Sequence, residues 1–473
     1  MTFTRCISRS IESAQQPVLH VEVRVKRNDG VIVRTDLVCL SLLIRDEVTQ
    51  WLIDNFVVLN LGQEINAFDG LKDPHAQALE SILVTECTGG NLESGAYRLQ
   101  NIELDVQAYQ LRGLAEQGSS QQTQHLDDHT ENGDDVPRAK VLTLPNEELD
   151  GLWESLQFDQ PIHCTLLRAI SRMVSLSSRK LNRWSINWNR LVLLWGPPGT
   201  GKTSLCRGLA QKLAIRLGKY YPQSKLVEIN AHSLGSKFFS ESGKLVGKMF
   251  ESIESILEEE EDTFVCVFVD EIETLAARRE QMISGSEPFD AVRAVNALLT
   301  GLDRLRRYPN IVVVCTSNLV GALDAAFLDR VDIKQFMPHL SVKVIYGIYK
   351  DCLEELSRSG IIEGASFDVV QLNPEDPQTP LQYVEKPMEY LMLPTFEEML
   401  LNYQMFPAAV PKKLADLAKE SEGLSGRTLR RLPALSLVLY THCTLCSVSK
   451  ALEALGAGIA AEGQARAGEP GRA

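Results

Sequence analysis

Residues 191–203 read LVLLWGPPGTGKT, an apolar run that breaks into a glycine-rich turn. A short apolar run bounded by such a turn reads as a buried strand. Beyond it, Leu205, Leu209 and Leu213 recur every fourth residue, which marks one apolar face of an α-helix. Strand, glycine-rich loop and helix form the context in which Gly-x-x-x-x-Gly-Lys-Thr cradles nucleotide phosphates. The loop comprises Gly196, Pro197, Pro198, Gly199, Thr200, Gly201, Lys202 and Thr203. Its glycines let backbone N–H groups curl around an anion, and the helix N-terminus adds the positive end of its dipole. Lys202 is expected to reach the β- and γ-phosphates and Thr203 to ligate a metal. ATP and Mg2+ are therefore the expected cofactors.

Two further apolar runs end in polar clusters. FVCVFV at 264–269 leads into Asp270 and Glu271. An apolar strand ending in two acids is a weak signal alone, but downstream of a phosphate loop it gains meaning. Asp270 is expected to bind magnesium, directly or through water, and Glu271 to act as general base on the attacking water. IVVVCTSN at 311–318 ends on Asn318. That amide can contact the γ-phosphate or orient the water, but Asn also suits a helix cap or a turn. Apolar runs at 191–195, 226–229, 264–269 and 311–315 alternate with helical stretches. This is the pattern of a parallel sheet covered on both faces.

The rest of the chain organises around this core. At 473 residues it is too long for one ordinary core and implies two or three domains. Residues 1–14 are expected to be a flexible N-terminus. In 18–26, Leu19, Val21, Val23 and Val25 alternate with His20, Glu22, Arg24 and Lys26, a half-buried strand. Residues 102–108 repeat the pattern, with helix-like stretches at 46–56 and 75–84 between. We read 15–112 as a small α+β domain that binds a partner, since no catalytic cluster lies in it. Residues 113–142 are polar and acidic and are expected to be a disordered linker. The large ATPase subdomain spans 143–337 and a helical lid 338–452, with an irregular, Pro-rich insertion at 370–394. Residues 453–473, rich in Gly and Ala, are expected to be a flexible tail. The fold class is α/β: a parallel-sheet P-loop ATPase core with a helical lid, preceded by the small domain.

Composition excludes some roles. A net charge of −14 argues against a protein that grips phosphate backbones directly. No run of about 18 apolar residues predicts a membrane helix, and the N-terminus lacks an apolar signal core. The ten cysteines are scattered; Cys443 and Cys446, with His442 beside them, lack a fourth zinc ligand. Reduced thiols in an intracellular protein are the expectation.

The order of phosphate loop, Asp-Glu strand, Asn-ended strand and helical lid resembles the AAA+ ATPases over about residues 145–440. More closely, the chain is similar to the pachytene checkpoint protein 2 (thyroid-receptor-interacting protein 13) family, its plant meiotic members included. NWNRLVLL at 187–194, SKFFSESGKL at 236–245, EPFD at 287–290, DRVDIK at 329–334 and GLSGR at 423–427 carry the likeness. The resemblance implies a homohexameric ring that pulls on the N-terminal region of HORMA-domain proteins, partly unfolds them and converts a closed form to an open one. A HORMA adaptor, a role in meiotic synapsis, recombination and checkpoint control, and a nuclear, chromosome-associated location with a cytoplasmic pool belong to the same expectation. By that likeness Lys237, Phe238 and Phe239 match a substrate-gripping pore loop, with Phe238 where many relatives carry Trp. Arg330 matches an arginine finger; the usual pattern has two arginines, and a surface salt bridge is the plainer reading. Arg427 matches the second sensor of the lid, with Arg430 and Arg431 close by. A DNA-linked ATPase and a nucleotide-gated chromosome-axis scaffold are the competing functions. DNA-dependent hydrolysis would mark the first and dispensable turnover the second.

Overall fold

Alternation at 18–25 becomes strand β1 (Val18–Val25), whose Leu19, Val21 and Val23 are fully buried. The computed structural model describes residues 16–26, 34–89, 95–113, 139–177, 179, 182, 185, 188–231, 242–260, 262–276, 288–371, 380–442 and 444–467. After β1 come helix α1 (Arg34–Asn55), β2 (Val58–Asn60), β3 (Glu64–Ile65), α2 (Asp73–Ala78), β4 (Leu79–Thr88), β5 (Ala96–Arg98) and β6 (Glu103–Tyr109). They form a sheet of order β3-β4-β1-β6, with β4 antiparallel and β6 parallel to β1, and a separate β2-β5 pair. Ile44, Val48 and Leu52 of α1 share the core with Leu19, Val21, Val23, Ile82, Val84 and Val106. The helix expected over 75–84 ends at Ala78, and residues 79–84 belong to β4. Pairing with β1 along its whole length overrides local helical pattern there.

The ATPase domain follows as β7 (Lys140–Leu144), α3 (Ile162–Ser177), β8 (Leu191–Trp195), α4 (Lys202–Leu217), β9 (Gln223–Asn230), α5 (Ser242–Glu259), β10 (Thr263–Asp270), α6 (Pro288–Leu305), β11 (Ile311–Ser317), α7 (Ala325–Arg330) and β12 (Ile333–Phe336). Sheet order is β12-β8-β11-β10-β9-β7. Strand β10 runs parallel to both β9 and β11. Strand β7 closes one edge antiparallel to β9, so residues 140–142 are sheet rather than linker. Arg112 and Asn146 form a bridge, which sets the two ends of the intervening segment side by side.

Glu22 of β1 does not face water. Glu22 accepts a 2.7 Å bond from Lys212 of α4, and Glu154 pairs with the same ammonium at 2.9 Å. Glu86 of β4 pairs with Arg216 of α4 at 2.8 Å and with Arg168 of α3 at 3.1 Å. The second face of the small sheet is thus docked by charge onto the helix that begins at the phosphate loop. Burial opposes the charge of Lys212, yet Glu22 and Glu154 outweigh it and raise its pKa above the ordinary value.

The chain divides into two compact units. The first is Met1–Glu154, Ile162–Leu194 and Thr203–Gln335; the second is Ser155–Pro161, Trp195–Lys202 and Phe336–Ala473. Within the second, the lid comprises α8 (Val342–Arg358), β13 (Ala365–Gln371), β14 (Leu381–Pro387), α9 (Phe396–Asn402), α10 (Val410–Glu420), α11 (Gly426–Tyr440) and α12 (Val448–Ala467). The insertion expected to be irregular, 370–394, carries β14, which pairs antiparallel with β13 so that Tyr383 stacks on Phe367. The tail expected to be flexible is helical through Ala467. Its small residues serve close packing: Ala454 is buried beside Leu455 and Ile459, and a Cβ on Gly458 would lie 2.0 Å from Ser436 Oγ of α11. Among the described residues no helix is long and apolar enough to cross a membrane.

Removing Lys212 leaves Glu22 buried without its charge partner. Lys212→Ala is expected to lower stability by about 3–5 kcal/mol, and Lys212→Met with Glu22→Leu to recover most of it, measured by denaturant unfolding. Because the folded pKa of Lys212 is raised, its contribution is complete below 10.5 and lost as pH rises through the folded value.

Candidate functional site

The phosphate loop belongs to the second unit. It takes its shape from glycines that no other residue can replace. A Cβ on Gly199, at φ 78°, would lie 2.4 Å from Ser425 Cβ; one on Gly196 would lie 2.2 Å from the Met337 carbonyl oxygen. The Gly426 N–H donates to the Gly199 carbonyl at 2.8 Å, and Ser425 caps α11 by accepting from the Thr428 N–H. The first turn of that lid helix therefore rests on the loop. Arg427 stands in this turn, exposed, with no carboxylate partner among the described residues. Lys202 is buried, and its Nζ donates to the carbonyls of Gly196 (2.8 Å) and Pro197 (2.6 Å).

The first unit holds the acids. Strand β10 is buried from Thr263 to Val269, and Asp270 emerges at its end. Thr203 Oγ1, in the first turn of α4, lies 3.2 Å from both Asp270 carboxylate oxygens. Thr316, at the end of β11, donates its hydroxyl to Asp270 Oδ1 and accepts the Glu271 N–H at 3.1 Å. Glu271 is left-handed, with φ 55° and ψ 50°, a conformation that costs a non-glycine residue about 1–3 kcal/mol. Its carbonyl is held by the N–H and hydroxyl of Thr274, each at 3.1 Å. The Glu271 carboxylate itself is on an exposed residue, open to water. Asn318 follows β11, and its N–H donates to Glu273 Oε1 at 3.0 Å.

Thr316 thus ties Asp270 to Glu271, and Glu273 holds the Asn318 backbone; the sequence reading passed over both. Thr316 is the first polar residue after the apolar run 311–315 and Glu273 sits two residues beyond Glu271, but neither position signals the contact it makes. A hydroxyl and a carboxylate converging at 3.2 Å form a hard-oxygen set that suits Mg2+ completed by substrate phosphates and water. Where bound, the ion would be held by Thr203 and Asp270 and would neutralise charge on the phosphates.

Arg330 is placed differently from the acids. Its guanidinium forms two 2.9 Å bonds to Asp303 of α6 and one to the Ala326 carbonyl. The Asp303 bond is the leading cause of its raised pKa. Asn189 accepts no part of this charge but donates to the Arg330 carbonyl, while Asp332 takes the N–H groups of Asn189 and Leu191. Within one chain the plainer salt-bridge geometry therefore holds. Lys237, Phe238 and Phe239 lie outside the described residues. Cys206, Cys266 and Cys315 are core residues; burial pushes Cys206 well up and Cys266 to about 12, so neither is a nucleophile.

Comparison with known proteins identifies the domains. Residues 192–339 match the model of the ATPase family associated with various cellular activities, 14–113 the TRIP13 N-terminal domain and 341–463 the TRIP13-like AAA+ ATPase lid C-terminal domain. The human pachytene checkpoint protein 2 homolog is 42% identical over 342 residues, 72% of each chain. The zebrafish (Danio rerio) homolog is 36% identical over 446 residues, 93% of this chain and 92% of its own. The chain belongs to the pachytene checkpoint protein 2 family. The Arabidopsis thaliana member of the family is 43% identical over 324 residues, 65% of each chain. The structure of C. elegans PCH-2 matches with a TM-score of 0.63 at 27% identity, covering 94% of this chain and 99% of that one. This family member is accordingly an ATPase with a nucleotide-binding AAA+ core.

Lys202→Ala is expected to weaken ATP binding about 10-fold or more, the loss of one charge-assisted contact, by calorimetric titration; unchanged affinity would remove Lys202 from the phosphate site. Gly199→Ala is expected to weaken nucleotide binding comparably, because both the loop and the Ser425 cap must shift.

Proposed function

We propose that this ATPase is a homohexameric remodeller of HORMA-domain proteins, acting in meiotic chromosome synapsis, recombination and checkpoint control. The observation that carries the chemistry is the Thr203–Asp270–Thr316 cluster with Glu271 pinned beside it. Glu271 takes a proton from water, the water oxygen bonds to the γ-phosphorus, and the bond to the bridging oxygen breaks to release ADP. Lys202 steadies the phosphates, Asn318 aligns the water, and Arg427 reports nucleotide state to the lid. Arg330 acts on the neighbouring subunit's nucleotide after leaving Asp303, which ties turnover to assembly.

The client class rests on the family and on its N-terminal and lid domains, each matched separately from the ATPase core. The small domain, docked on α4 by Glu22 and Glu86, is the element we assign to holding the client or a HORMA adaptor. Lys237, Phe238 and Phe239 grip the unfolding segment by packing rather than by reading its sequence. A nuclear, chromosome-associated location with a cytoplasmic pool completes the proposal. The net charge of −14 speaks against direct nucleic-acid binding.

Release of a bound peptide from a closed HORMA protein, followed by fluorescence, tests the reading. Release should require ATP and should stop in Phe238→Ala while that variant's basal hydrolysis stays within about two-fold. Equal loss of both activities would take Phe238 out of the pore. Glu271→Gln should bind ATP and retain the client, with hydrolysis reduced about 100-fold or more; normal release by that variant would end its role as base.

A further inference from the structure

We propose that Thr316 is a positioning residue for hydrolysis, holding Glu271 in its left-handed conformation and Asp270 in register with Thr203; this rests on the reading of Glu271 as general base. Strands β10 and β11 pair in parallel with Val269 opposite Cys315, which brings the next residues, Asp270 and Thr316, side by side. Thr316 is 2% exposed. A hydroxyl there has one proton and two lone pairs. Its partners dictate how they are used: the Asp270 carboxylate can only accept, and the Glu271 N–H can only donate. One side chain thereby fixes both ends of the peptide pair that carries the two acids.

The Glu271 N–H has Thr316 as its partner, and the Glu271 carbonyl has Thr274. These bonds hold φ at 55° against the preference of a non-glycine residue for the right-handed or extended regions. Relaxation of the peptide would swing the Glu271 carboxylate away from the water it must align. Packing alone does not call for a hydroxyl at this position. The strand up to it reads Ile311, Val312, Val313, Val314 and Cys315, all buried, and Val would fill the same volume.

The test compares ATP hydrolysis and nucleotide affinity in the full chain for Thr316→Val, Thr316→Ser, Glu271→Gln, and Thr316→Val combined with Glu271→Gln. Thr316→Val should lower kcat about 10-fold or more with KM within about three-fold, since a small misplacement of a reacting group is costly. Thr316→Ser, which keeps the hydroxyl, should stay within about three-fold of the parent. In the Glu271→Gln background the valine should add less than about two-fold, because both changes disable one unit. The proposal is overturned if Thr316→Val keeps the parent kcat, if serine fails as badly as valine, if the two losses multiply, or if valine abolishes nucleotide binding. Parent-level hydrolysis by Glu271→Gln would instead remove the general-base reading on which it rests.

Discussion

A charged group must be held at the end of a strand that has no contact with water. Strand β10 is apolar and buried until Asp270, so the carboxylate appears where the sheet meets solvent and must be satisfied by its neighbours. Hydroxyls from α4 and β11 do this, and they come from elements that the parallel sheet places on either side. The geometry of the nucleotide site follows from that demand. Thr203 is brought to Asp270, Thr316 is brought to both acids, and the backbone of Glu271 is bent into the conformation those bonds allow. Donors and acceptors fixed by the fold in this way are what electrostatic catalysis at low reorganisation cost requires.

The same helix that presents Thr203 carries Lys212 and Arg216 two to four turns later, and these hold Glu22 and Glu86 of the small domain. Ion pairs this deeply buried contribute little net stability when intact, yet are costly to break one partner at a time. Their effect is to specify one docking arrangement of the small sheet on α4. In the lid, the Gly426 N–H on the Gly199 carbonyl makes a second mechanical link, from the loop into α11.

Much of this was legible in the residues, for identifiable reasons. The glycine-rich loop, the apolar strands and the acids at 270–271 are local signals, each complete within a few residues. Asn318 was visible as the end of an apolar run, though what holds it, Glu273, is a tertiary contact with no local signature. Thr316 was equally hidden, because a threonine near a strand end is unremarked until register sets it beside Asp270. The polar face of β1 was read correctly as one side of a strand, but its partner on α4 lies 190 residues away for Glu22 and Lys212. Glycine and alanine in 453–467 suggested mobility, whereas their small volume lets α12 approach α11 closely. The hairpin at 365–387 was obscured by proline-rich sequence, and strand pairing decided it.

In the function proposed above, hydrolysis at the Asp270–Glu271 cluster is coupled to work on a HORMA-domain protein. The most direct measurement is the steady-state rate of ATP hydrolysis by the purified protein as a HORMA protein and its adaptor are titrated in, with DNA titrated separately. The rate should rise with the HORMA protein and be indifferent to DNA. Hydrolysis that ignores the HORMA protein and rises with DNA would contradict that coupling, leaving the motor in place and removing its client.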